Sequence, residues 1–113
     1  MFVSMIVLEV EVLPEAEAEL ETLPDGERMA MLNALEKLQV LGLVLGAPHS
    51  SQVKGTSLRE LRPRQGRSPW RAFYKRVGEL LVIGAIGPEA LHNRQGFSRA
   101  ITAAEKRINE FEG

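Results

Sequence analysis

The sequence predicts an α+β fold with the element order β-α-α-β-β-β-α. Apolar and polar residues alternate near the start and again past the middle, most clearly in "VLEVEV", which is the period of half-buried strands. Between these stretches, leucines recur at steps of three and four, the mark of a long helix with one buried stripe. The links "PRQGRSP" and "VGE" between the later strands are short enough to imply antiparallel pairing.

The first strand is expected over Phe2 to Leu13. Pro14 ends it and suits the first turn of a helix, and "PEAEAELETL" supplies strong helix formers with early glutamates that complement a helix N-terminus. "LPDGER" interrupts this segment, with Asp25 the expected N-cap of the next helix. That helix should run from Glu27 to Leu45 and bury Met31, Leu32, Leu35, Leu38, Leu41 and Leu45, with Gly46 and Pro48 stopping it. "GAPHSSQVKGTS" reads as a loop. Strands are expected over Ser57 to Arg62, Trp70 to Val77 and Glu79 to Ile86. "GPEALHNRQG" is a second loop, and Phe97 to Phe111 a last helix with Phe97, Ile101, Ala104, Ile108 and Phe111 as its stripe. The three later strands form a meander, the first strand adds to one of its edges, and the helical pair covers one face.

At 113 residues the chain is most economically one domain, residues 1–113, and 44% hydrophobic content is enough for a modest core. The absence of cysteine excludes a disulfide scaffold and Cys-ligated zinc. No apolar run is long enough to span a bilayer, and "MFVSMIVLEVEV" lacks the basic start and cleavage site of a signal peptide, so a cytoplasmic protein is expected.

The formal net charge of −1 hides an asymmetry. Up to Glu36 there are nine acids and one base, whereas Lys54 to Arg76 holds eight bases and one acid, Glu60. Halves this different suggest a surface that attracts an anion, or else a basic hairpin paired internally with acidic helices. Strand parity bears on the choice. With Leu61, Trp70, Ala72 and Tyr74 turned toward the helices, Glu60, Arg62, Arg71, Phe73 and Lys75 share the opposite face. Arg59 has the parity of Leu61 and is expected to snorkel outward. A basic, open sheet face with an aromatic on it suits RNA, because guanidiniums bind phosphates and a ring stacks on a base. The plain alternative is a solvated face of an antiparallel sheet.

The pieces "LVLGAPHSSQVKGTSLRELR", "WRAFYKR", "ELLVIGAIG" and "AITAAEKRINEFE", in this order and spacing, resemble the RelE/HigB toxins of type II toxin–antitoxin systems, in particular their phage-associated HigB-like branch within the RelE/ParE superfamily. The resemblance spans roughly Leu35 to Glu112. It implies an mRNA interferase, a ribosome-dependent endoribonuclease that inhibits translation. The 2′-hydroxyl attacks the adjacent phosphate, leaving 2′,3′-cyclic phosphate and 5′-hydroxyl ends, with no metal or other cofactor. The family's basic pair carries over onto Arg62 and Arg71, with Arg71 in the "xRxxY" position. In the loop after the last strand the usual basic pair is replaced by "GPEALHNRQG", which offers His92 as an acid and Arg94. Glu60 is a possible base, its structural role within "LxELR" being the plainer reading. Lys54, Arg64, Arg67, Phe73 and Lys75 are the expected RNA contacts. The implied partners are the ribosome, mRNA and a cognate antitoxin, a helix-turn-helix protein encoded alongside. The alternative is a ParE-like or catalytically silent member that binds a protein such as DNA gyrase, which has no need of a paired Arg62 and Arg71 beside an aromatic.

Overall fold

The computed structural model describes residues 8–113, so the part of the expected first strand over residues 2–7 lies outside it. The elements are β1 (Glu9–Val12), α1 (Pro14–Glu21), α2 (Asp25–Leu41), β2 (Ser50–Gln52), β3 (Arg59–Leu61), β4 (Trp70–Val77), β5 (Leu80–Pro88) and α3 (Arg94–Glu112). The described residues form one five-stranded sheet in the order β1-β5-β4-β3-β2. β3, β4 and β5 are the expected antiparallel meander, and β1 adds to its edge parallel to β5.

β2 falls within the segment expected to be a loop. Its residues carry no apolar alternation, yet Ser50 is buried: its hydroxyl hydrogen-bonds the Tyr74 hydroxyl and accepts from Arg59 Nε at 3.0 Å. A satisfied polar network, rather than hydrophobic pattern, seats this strand. It also draws the half-buried Arg59 inward, where the sequence suggested an outward snorkel.

Pro14 stands in the first turn of α1, as expected. Asp25 does not cap α2; Pro24 holds that position and Asp25 opens the helix. α2 stops sooner than expected, at Gly42, whose φ of 55° lies in the left-handed region, and a 3₁₀ turn, Gly42–Val44, carries the chain onward. Met31, Leu35, Leu38 and Leu45 are buried, but Leu32 and Leu41 face solvent.

The sheet carries a core on each face. α1 and α2 cover Leu61, Ala72, Tyr74, Leu81, Ile83 and Ile86, with Trp70 partly buried against them. On the other face α3 covers Phe73, Val82 and Ala85 with Ile101, Ala104 and Ile108. That face is therefore closed over β4 and β5, not open as parity alone suggested. A bulge accommodates both cores. Phe73 pairs with Ala85 and Tyr74 with Ile83, which leaves Gly84 unpaired and flips the alternation of β5, so Ile83 and Ile86 reach one core while Val82 and Ala85 reach the other.

α3 packs on β5 at close range because glycines allow it. A Cβ on Gly87 would come within 2.5 Å of Ala100 Cβ. Gly87→Ala is thus expected to push α3 outward and cost about 1–3 kcal/mol through overpacking. Urea unfolding measures this directly, and an unchanged midpoint would contradict the packing. Beyond β1, the free edge of β5 is closed by side chains. Glu19 of α1 accepts the Ile86 N–H at 3.0 Å, and Arg107 of α3 donates to Gly84 O at 3.1 Å while pairing with Glu19 at 3.0 and 3.2 Å. Among the described residues no helix is long and apolar enough to cross a membrane.

Candidate functional site

The basic stretch divides into cations locked into the fold and cations offered to solvent. Arg71 is the most locked. It is 2% exposed, and its Nη1 donates to the carbonyls of Ser68 and Trp70 at 2.6 and 2.9 Å while Nη2 donates to Gly66 O at 3.3 Å. Glu60 Oε1 lies 3.5 Å from its Nε, and Glu89 Oε2 4.0 Å from Nη2. Burial lowers its pKa from the ordinary value, the flanking Glu60 and Glu89 oppose that, and an arginine stays charged regardless. With its Nη donors turned on the protein and its Nε buried without a hydrogen-bond partner, Arg71 has little left for a phosphate. The expectation that it stands exposed on the sheet is overturned.

Phe73 is likewise withdrawn. It is fully buried, with its ring nearly perpendicular to that of Phe97 of α3 at a centroid distance of 5.5 Å, so it is not a platform for a base. Lys75 has the expected parity but pairs with Glu112 at the end of α3, Nζ to Oε1 3.0 Å.

The exposed cations surround a groove of about 360 Å³ between α2 and the β3–β4 loop. Arg62, Arg64 and Arg67 line it from the loop, Lys37 and Asn33 from α2, and His49 from the segment before β2. The loop is held in an unusual shape: Arg64 and Gln65 have φ of 55° and 58°, a region that costs residues with a side chain of order 1–2 kcal/mol each. Its neighbours hold it there. Arg64 reaches back to α2, donating to Gly26 O at 3.1 Å and to Glu27 at 3.2 Å, and Glu27 accepts from Ser68 Oγ at 2.7 Å. Arg71 fixes the far side through Gly66 O. Strain that is over-determined by surrounding contacts is a pointer to function.

Arg62 joins the two arrangements. It lines the groove, its side chain is 34% exposed, and its Nε lies 3.2 Å from the Glu60 carboxylate that also faces Arg71. Arg62 and Arg71 are therefore brought together, through Glu60. Arg67 and Lys54 are exposed and meet no carboxylate among the described residues. His92 lies elsewhere. It lines a second cleft, of about 420 Å³, at the β5 edge with Trp70, Arg99 and Arg107, and Arg94 is exposed at the start of α3. Lys37, Asn33 and His49 were not singled out in the sequence. The available signal was weak: a lone base following an acidic stretch, and a histidine in a segment that reads as a polar loop. Among the described residues, no three His, Asp or Glu side chains gather where they could hold a metal ion.

The groove and the strands beside it lie inside a stretch with a known counterpart. The family described as Phage derived protein Gp49-like (DUF891) matches residues 18–83, more than half of the chain. The chain belongs to this Gp49-like family. Its fold is shared with solved RelE and YafQ structures. The free E. coli toxin RelE superposes with a TM-score of 0.60 at 14% identity, over 85% of this chain and 96% of that one. A chain of the Mycobacterium tuberculosis RelBE2 toxin–antitoxin complex gives 0.55 at 18% identity, over 74% and 100%. One from the E. coli DinJ–YafQ toxin–antitoxin complex gives 0.52 at 20%, over 76% and 97%. No curated protein sequence matches the chain.

Proposed function

We propose that this Gp49-like protein is the toxin of a toxin–antitoxin pair and cleaves messenger RNA on the ribosome. The observation that carries the reading is the groove lined by Lys37, Arg62, Arg64, Arg67 and His49, set in a RelE fold by a loop under backbone strain. Phosphodiester cleavage by a neighbouring 2′-hydroxyl needs cations where charge grows on the phosphorus, and a group that moves a proton. Arg62 and Arg67 supply the first, because guanidiniums match phosphate oxygens in fork geometry. For the second we assign His49, since an imidazole can both accept and donate a proton and this one stands among the cations, whereas His92 lines another cleft. The attacking 2′-oxygen bonds to phosphorus and loses its proton, the bond to the 5′-oxygen breaks, and that oxygen takes up a proton. The ends are a 2′,3′-cyclic phosphate and a 5′-hydroxyl. Arg71 shapes the groove from behind. An antitoxin partner is in keeping with the RelBE2 and DinJ–YafQ structures, which are toxin–antitoxin complexes.

Induced expression followed by mapping of mRNA 5′ ends tests the reading. Cuts within codons of translated messages are expected. Purified protein should leave naked RNA largely intact, because a groove this small fixes too little of a flexible chain for in-line attack, and orientation contributes about 7–11 kcal/mol to such reactions. His49→Gln is expected to slow cleavage about 10²–10⁴-fold. Arg67→Ala should weaken RNA binding and lessen its salt dependence while leaving stability within about 0.5 kcal/mol. Growth arrest with intact messages would reject the nuclease and favour a protein target such as gyrase.

A further inference from the structure

The loop that carries Arg62, Arg64 and Arg67 is fastened to α2 by one carboxylate. Glu27 lies in the first turn of α2, where the helix N-terminus favours a negative charge. Its Oε1 accepts from Ser68 Oγ at 2.7 Å and its Oε2 from Arg64 Nη1 at 3.2 Å. Among the described residues no other α2 side chain hydrogen-bonds this loop. Both partners carry the constraint further. Ser68 is buried, and its oxygen accepts the N–H of Trp70, the first residue of β4, at 3.1 Å. Arg64 takes a second hold on the helix at Gly26 O, 3.1 Å from its Nη2. Arg64 and Gln65, the two residues at φ of 55° and 58°, lie inside this clasp.

We propose that Glu27 is a positioning residue for RNA cleavage, holding the strained turn so that Arg67 joins Arg62 in lining the groove. The inference rests on the nuclease reading above. Arg62 is placed without the clasp: its N–H donates to His49 O at 2.8 Å, which ties it to the histidine directly. Arg67 is not. Among the described residues it hydrogen-bonds Arg64 alone, its backbone N–H and its Nε both donating to Arg64 O at 3.1 Å. The place of Arg67 therefore depends on Arg64, and that of Arg64 on Glu27. Arg64 is the clasp and not a phosphate ligand, because its Nη1 and Nη2 are engaged by Glu27 and Gly26, whereas both Nη groups of Arg67 are left for the substrate. Without the carboxylate the turn loses contacts that offset its backbone strain, and Arg67 leaves the groove. Substrate binding then suffers more than proton transfer at His49.

The experiment uses the full chain as wild type, Glu27→Ala, Glu27→Gln, Gln65→Gly and Glu27→Ala/Gln65→Gly. KM and kcat are measured on translating ribosomes, and affinity with a 2′-O-methyl oligoribonucleotide, which has no free 2′-hydroxyl and cannot be cut. Glu27→Ala is expected to raise KM and the oligonucleotide Kd about tenfold, as for one lost hydrogen bond to a charged group. kcat should change little, and the salt slope of binding should fall by about 0.7, the share of one phosphate contact on a single strand. Glu27→Gln, with one acceptor oxygen left, should fall between; it also carries the comparison should Glu27→Ala prove insoluble. Glycine adopts positive φ without strain, so Glu27→Ala should matter less when position 65 is glycine than when it is glutamine. A general loss of stability would not be repaired in this way. Unchanged KM and Kd, a fall in kcat alone, or an equal effect of Glu27→Ala in both backgrounds would overturn the proposal. Absence of cleavage by the wild type, with the binding differences intact, would instead reject the nuclease reading and leave the role of Glu27 standing. Absence of both cleavage and binding would overturn both.

Discussion

Phe73→Ala is expected to leave the protein largely unfolded or insoluble. Phe73 has no exposed surface and lies between the sheet and α3, where its ring meets Phe97 nearly perpendicular, at 79°. Removing a buried aromatic costs about 3–5 kcal/mol, through lost transfer energy and the cavity left behind. Domains of this kind are stable by about 5–15 kcal/mol in total, so the loss is a large share. Urea unfolding, or soluble yield where the variant does not survive purification, gives the answer. A variant with a midpoint close to wild type would mean that α3 does not cover this face and that the ring is free to stack on a base after all.

That expectation inverts the role the sequence suggested for Phe73, and the reason lies in what each signal reports. β4 and β5 were legible because they are long, β4 alternates, β5 is a continuous apolar run, and "VGE" supplies the turn, Gly78 adopting φ of 60°. Parity correctly separated Leu61, Ala72 and Tyr74 from Phe73. What parity could not say is whether the second face is wet. The sign was there in "LLVIGAIG": a strand apolar at nearly every position is buried on both sides. α3, with its clear stripe of Ile101, Ala104 and Ile108, needed a face to bury it. Only its last expected member, Phe111, stays exposed, beyond the reach of the sheet.

The candidate site was legible as charge but not as geometry. The reading of the basic stretch as internally paired holds in part. Arg62, Arg64, Arg71 and Lys75 pair with Glu60, Glu27, Glu60 and Glu112, while Lys54 and Arg67 stay open to solvent. Which arginine goes inward depends on carbonyls of a loop and on carboxylates from two other segments, and no local pattern encodes that. The groove has the same origin. His49, Lys37 and Arg67 come from three stretches that meet only once α2 has packed against the β3–β4 loop through Arg64 and Glu27.

Arg71→Met is the second change with a large expected effect. Methionine keeps much of the bulk but removes the cation from between Glu60 and Glu89, and the donors from the carbonyls of Gly66, Ser68 and Trp70. Removing one partner of a buried ion pair costs about 3–5 kcal/mol, because the charges left behind lose their compensation. Glu60→Gln in the same chain should recover part of that loss, since it removes one of the stranded charges. The double-mutant cycle should then show a coupling of about 0.5–3 kcal/mol between positions 60 and 71. Cleavage is expected to fall as well, through the substrate term more than the chemical step, because the loop that carries Arg64 and Arg67 loses its hold at Gly66. The resemblance to RelE/HigB toxins implies a different outcome, in which this arginine meets the phosphate itself. Arg71→Met would then unfold at the wild-type urea concentration, and the rate at saturating substrate would collapse with no coupling to Glu60. Denaturation and kinetics on the same two variants separate a guanidinium that builds the groove from one that works inside it.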